Sequence, residues 1–92
     1  MAEVVWVGAA TDQLVAIAAY IRQFNPKAAD ETAAKLRSLA NSLSTLPRRG
    51  RPATADTREL TSVRPYIIRY RVSADGELVI ILSVRHSRRR AS

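Results

Sequence analysis

Arginine is the residue type through which this chain could do chemistry. Residues 47–92 hold eleven arginines and no lysine, against the acids Asp56, Glu59, Asp75 and Glu77. Residues 1–46 balance four cations with four acids, so the formal charge of +7 arises wholly in the second half. A guanidinium presents a planar fork of N–H donors that matches the oxygens of phosphate and carboxylate groups. Three groups stand out: Arg48, Arg49 and Arg51; Arg58, Arg64, Arg69 and Arg71; and Arg85, Arg88, Arg89 and Arg90. They form a candidate surface for a negatively charged target, with Arg48, Arg49, Arg51, Arg58, Arg64, Arg85, His86, Arg88 and Arg89 as its contact residues. Dispersed cations on a solvated sheet face would serve solubility alone.

His86 is the sole histidine and stands among Arg85, Arg88 and Arg89. Crowded cations disfavour the imidazolium, so a neutral ring is expected at pH 7. Such a ring could act as general base on a ribose 2′-hydroxyl while Arg58, Arg85 and Arg88 hold the phosphate. The other reading of His86 is a packing residue at a strand end. Other constellations are missing. The chain has no cysteine, and one histidine makes no metal cluster, so neither metal nor cofactor is expected. Gly8, Gly50 and Gly76 are isolated and form no phosphate loop. Asp56 and Glu59, three apart on an extended segment, point to opposite faces and make no carboxylate pair. No apolar run approaches the ~20 residues of a membrane span, and the start, MAEVVWVG, lacks a basic leader. A soluble, cytoplasmic protein without membrane contact is expected.

The elements that must position these arginines follow from periodicity. Glu3 to Val7 is β-branched and aromatic and reads as a strand ending at Gly8. Leu14, Ile17, Ala18, Ile21 and Phe24 make one stripe of a helix over 9–24. Asn25-Pro26 closes it and starts a second helix, with Asn25 as N-cap and Pro26 in the first turn, running to about Leu46. The short link makes the two an antiparallel hairpin. PRRGRPATAD, residues 47–56, reads as an exposed basic loop. Three strands follow, over 57–62, 65–72 and 77–84, the last two joined by a turn at Ser73-Ala74-Asp75-Gly76. In the last strand Leu78, Ile80 and Leu82 alternate with Val79, Ile81 and Ser83, as in a central strand. Trp6, Tyr66 and Tyr70 fit the core pattern. Residues 85–92 read as a basic tail. The order β-α-α-β-β-β predicts one α+β domain over 1–92, a helical hairpin packed on a twisted, mostly antiparallel sheet.

In order and spacing, VVW, DQLVAIAAYI, NPKAA, LPRRGRP, TREL, PYIIRYRV and VIILSVRH resemble the toxins of the RelE/ParE superfamily of type II toxin–antitoxin modules. The resemblance runs along nearly the whole chain and implies the same fold. It also implies a cognate acidic antitoxin laid over the toxin, for which Leu14, Ile17, Leu36 and Leu43 are candidate contacts shared with the core. RelE-like members cleave mRNA on the ribosome and usually carry an arginine directly after the tyrosine of the third strand. Here Ile67 follows Tyr66. The PYIIRYRV and VRH patterns look like the ParE branch, whose members stabilise plasmids and arrest growth by inhibiting DNA gyrase. The resemblance therefore implies a non-catalytic gyrase inhibitor, with ribosome-dependent mRNA cleavage by His86, Arg58, Arg85 and Arg88 as the alternative. A bare nucleic-acid-binding module, for which charge alone suffices, is a third reading.

Overall fold

The computed structural model describes residues 1–88; Arg89 and Arg90 of the expected basic tail lie outside the described residues. The elements are β1 (Glu3–Trp6), α1 (Gly8–Arg22), α2 (Pro26–Asn41), a 3-10 turn (Ser42–Ser44), β2 (Arg51–Pro52), β3 (Thr57–Leu60), β4 (Tyr66–Val72) and β5 (Leu78–His86). The fold is α+β, two helices packed on a five-stranded sheet of order β1-β5-β4-β3-β2. β1 pairs with β5 in parallel, and the other three pairings are antiparallel. No helix among the described residues is long and apolar enough to cross a membrane.

The helical hairpin forms where the sequence directs it. The Asn25 side chain accepts from the Ala28 amide at 3.1 Å, and Pro26 opens α2 with the φ that its ring imposes. A bond from the Arg22 guanidinium to Asp30 at 3.0 Å ties the end of α1 to α2. Leu14, Ala18, Ala33, Leu36, Ala40 and Leu43 pack against Ile68, Tyr70, Val79, Ile81 and Val84, so both helices lie on one face of the sheet. The opposite face carries no described helix.

Several boundaries differ from the periodicity. α1 ends at Arg22, which leaves Phe24 outside the stripe and 72% exposed, its ring edge-on to Tyr20. α2 ends at Asn41, the chain tightens into the 3-10 turn, and Leu46 is 59% exposed. The loop 47–56 contains a two-residue strand, β2, which extends the sheet beyond β3. Residues 85 and 86 belong to β5, not to a tail.

The alternation expected in β5 breaks once. Arg69 pairs with Ser83 but Tyr70 with Ile81, so Leu82 is an extra residue on β5. A bulge of this kind shifts every later side chain to the other face. The core positions accordingly run Val79, Ile81, then Val84. β1 stops at Trp6, opposite Ile81, and beyond it the Val84 amide donates to the Gln13 side chain on α1 at 2.8 Å.

A guanidinium cluster on the open sheet face

Glu59 is the centre of the site. It lies in the middle of β3, between Arg51 of β2 and Arg69 of β4, each its direct register partner. β-Strand alternation turns its neighbours Arg58 and Leu60 toward the helices and Glu59 away from them. On that open face a carboxylate should be solvated, yet the Glu59 side chain is only 7% exposed. Arginines cover it. Arg69 donates Nε and Nη2 to Oε2 at 3.2 and 2.8 Å, Arg85 donates Nη2 to the same oxygen at 3.4 Å, and Arg51 donates Nη2 to Oε1 at 3.3 Å. Arg85 arrives there because of the bulge. Paired with Ile67, it lies on the open face, whereas unbroken alternation from Val79 and Ile81 would place it under the helices.

Burial is the largest single influence on the Glu59 carboxyl and raises its pKa. The opposing effects together exceed it: the Arg69 hydrogen bond and charge, the Arg51 hydrogen bond and the Arg85 charge hold the pKa below 4.5. A carboxyl whose pKa is depressed on folding stabilises the protein above its unfolded value and loses that contribution as pH falls through the folded one. The urea midpoint should therefore stay level from neutral pH to about 5.5 and decline below that, and Glu59→Gln should flatten the decline. Asp75, its pKa lowered by the Ser73 hydroxyl and the Glu77 amide, acts in the same direction. Acid melts of Glu59→Gln that superimpose on the parent slope would remove Glu59 from this account.

The basic loop is a second, separate group. Arg58 donates Nη1 to the carbonyls of Arg48 and Gly50 at 3.2 and 2.8 Å, and Arg49 donates to the Ser42 hydroxyl at 2.8 Å. The Gly50 amide donates to the Tyr70 hydroxyl at 2.9 Å, inside the core. Burial pushes the Tyr70 phenol up, against the lowering effect of the Gly50 bond and the Arg58 and Arg49 charges. Arg48 reaches across to the β4–β5 turn, where Gly76 has φ 75° and a Cβ would meet the Arg48 Nη1 at 3.1 Å. Arg48 and Arg58 also line a shallow groove with Pro52, Asp56 and Thr57. Arg71 lies 3.7 Å from Asp56, and Arg64 is exposed between β3 and β4.

The residues suggested for phosphate chemistry do not converge. His86 and Arg85 are successive in a strand and so face opposite sides of the sheet. The His86 ring stands edge-on to Tyr66, its register partner, at 5.8 Å on the helix side, and Nδ1 accepts from the Arg88 amide at 3.1 Å. The Arg85 guanidinium is on Glu59, and that of Arg58 is on loop carbonyls. Arg88 is exposed; Arg89 lies outside the described residues. None of the four candidate antitoxin contacts is fully exposed. Leu14, Leu36 and Leu43 are buried in the core and Ile17 is half-buried against it, because the helix stripe they form faces the sheet. The exposed large apolar side chains of α1 are Val15 and Tyr20. Sequence reasoning missed Glu59 as the partner of the strand arginines. The signal available was its place in TREL on an inner strand; its cross-strand neighbours depended on register.

Solved structures share this architecture. The chain superposes on a protein of a chromosomal ParDE toxin–antitoxin system from P. aeruginosa with a TM-score of 0.80, at 24% identity over 94% of this chain and 96% of that one. It also superposes on a chain of the toxin–antitoxin complex RelBE2 from Mycobacterium tuberculosis, with a TM-score of 0.67 at 24% identity, over 92% and 96% of the two chains. At that identity the likeness defines the fold alone. The family model described as ParE toxin of type II toxin-antitoxin system, parDE, matches residues 4–91. The chain belongs to this family of type II toxins. It is 53% identical over 89 residues to Toxin RelE2 of Caulobacter vibrioides, covering 97% of this chain and 99% of that protein. It is also 38% identical over 79 residues to Putative toxin Y4kP of Sinorhizobium fredii, covering 84% and 82%.

Proposed function

We propose that this toxin acts by binding DNA gyrase and blocking its supercoiling activity, without making or breaking a bond itself, and that a cognate acidic antitoxin neutralises it. The observation that carries the reading is the match of residues 4–91 to the ParE toxin family. The site chemistry supports it. Binding needs complementary charge, and the chain supplies guanidiniums in two held groups, one on the open sheet face and one at the basic loop. A ribonuclease needs a base and its phosphate clamp within reach of the same atoms, and here Arg85 lies on the sheet face opposite His86 while the Arg58 guanidinium is engaged by the carbonyls of Arg48 and Gly50.

Purified gyrase incubated with excess toxin should lose supercoiled product, and prior addition of the antitoxin should restore it. Full supercoiling at a large toxin excess would overturn the reading. A second reading, ribosome-dependent mRNA cleavage, is favoured by the 53% identical relative named Toxin RelE2. Primer extension on translated mRNA separates the two. Intact transcripts during growth arrest are expected under gyrase binding, and new 5′ ends would instead assign the toxin to the ribosome.

A further inference from the structure

The two helices of the hairpin differ in what they show to solvent. α2 exposes Lys27, Asp30, Glu31, Lys35 and Arg37, as a solvated helix does. α1 has two charged residues in fifteen, Asp12 and Arg22. Its sheet-facing stripe of Ala10, Leu14 and Ala18 is buried, yet Val15 and Tyr20 on its other sides are also large and apolar, and each is more than half exposed. Phe24, just past the helix end, is exposed as well, and its ring stands edge-on to Tyr20 with centroids 5.4 Å apart. A helix that is apolar all round is ordinarily covered all round. Large apolar side chains gathered on one exposed face mark an interaction surface.

The layout of α1 indicates what covers it. At about 100° per residue, Asp12, Ala16, Ala19 and Gln23 form a ridge opposite the buried stripe, with Val15 on one side of it and Tyr20 on the other. The ridge reads much the same from either end. About the midpoint between Ile17 and Ala18, Ala16 mirrors Ala19 and Asp12 mirrors Gln23. The charges, however, are opposite at the two ends: Asp12 lies toward the start of α1 and Arg22 in its last turn. A second α1 laid antiparallel across the first brings each Asp12 carboxylate to the other copy's Arg22, twice over by symmetry, with Gln23 beside it as a further donor. A parallel copy would set like charges together. Arg22 can serve two carboxylates, because Nη1 is the atom on Asp30 at 3.0 Å and a guanidinium offers about five N–H donors. Ala16 and Ala19 at the crossing let the two backbones approach to about 8 Å.

We propose that the outer face of α1 is a self-association surface, on which a second copy of this chain docks with its own α1 antiparallel. Ala16 then meets the partner's Ala19, and Asp12 meets the partner's Arg22. α1 is about 22 Å long, too short to supply the ~1,600 Å² of a standard interface. The pair therefore forms in a concentration-dependent equilibrium, with a dissociation constant on the order of 10–100 μM. Both helices lie on one face of the sheet, so the pair keeps its two open sheet faces, each with its Glu59 cluster, on the outside. The inference rests on the surface of α1 and is independent of whether gyrase is the target.

The experiment is sedimentation equilibrium of the full chain from ~5 to ~500 μM, a range that brackets this constant. The apparent mass should rise with concentration from that of one chain toward that of two. Ala19→Glu places a carboxylate at the crossing and should weaken association by more than about tenfold. Ala34→Glu makes the same change on the exposed side of α2 and should leave association unchanged. Asp12→Arg should weaken it about tenfold, whereas Glu31→Arg, the same charge change on α2, should alter it less than about twofold. Circular dichroism establishes that each variant is folded. The chain has no cysteine, so the register can be read directly. Ala16→Cys and Ala19→Cys proteins, oxidised as an equal mixture, should give the mixed disulfide dimer well above its statistical share. A mass that stays at one chain throughout would overturn the proposal and leave the face to another protein, an antitoxin included. So would equal weakening by Ala19→Glu and Ala34→Glu, or a mixed disulfide no more abundant than chance. If Ala19→Glu does not fold, the cysteine mixture decides alone.

Discussion

Glu59→Ala is expected to lower the stability of the fold by about 2–4 kcal/mol, the largest loss from any single charged side chain. Truncating one partner of a buried ion pair costs roughly 3–5 kcal/mol because the other charge is left uncompensated. Here the stranded charges are three guanidiniums on an open face. Arg51 is mostly exposed and can rehydrate, whereas Arg69 and Arg85 are three-quarters or more covered, which brings the estimate below the fully buried range. Each kcal/mol moves the melting temperature of a domain this size by about 4–8 °C, so a fall of at least ~8 °C is expected. Glu31→Ala breaks an exposed pair with Lys27 one helical turn away at 3.8 Å and should cost no more than about 0.5 kcal/mol. Equal melting temperatures for the two variants would mean that the arginines gain nothing from Glu59.

Gly50→Ala is expected to cost about 2–3 kcal/mol through overpacking. A Cβ at this position would lie 2.6 Å from the Tyr70 hydroxyl and 2.8 Å from both the Tyr70 ring and the Glu59 carbonyl. Neither obstacle can move cheaply: Tyr70 is fully buried, and the carbonyl belongs to a strand paired on both sides. The methyl must push the loop outward. That breaks the bond from the Gly50 amide to Tyr70 and loosens the carbonyls that hold Arg58. Gly8→Ala is the contrast, because nothing lies within 4 Å of its Cβ position and it opens a helix, where alanine is preferred. Thermal melts of the two variants should therefore move in different directions. A Gly50→Ala protein as stable as the parent would show that the close contact with Tyr70 relaxes freely.

Much of this protein is dictated by local chemistry that the sequence displays. The β-branched start, the stripe through Leu14, Ile17 and Ala18, the Asn25-Pro26 junction and the turn at Gly76 each depend on residues within a few positions of one another. They appear in the structure where periodicity and capping put them. Charge segregation is equally plain, since counting arginines needs no coordinates. Phe24 and Leu46 mark where periodicity overreaches: the apolar pattern continues past the point at which each helix stops, and a pattern does not record its own end.

What the sequence left open was which arginines meet which acid: strand register brought Arg51 and Arg69 to Glu59, and a single extra residue decided whether Arg85 joined them. Leu82 bulges from β5 and reverses the parity of everything after it, so Arg85 leaves the helix side and joins Arg69 on Glu59, while His86 turns to Tyr66. Strand alternation is strict only within an unbroken ladder, and whether the ladder breaks depends on the neighbouring strands and on the helix above, where Gln13 holds the Val84 amide. Those partners are distant in sequence and adjacent only once the sheet has closed.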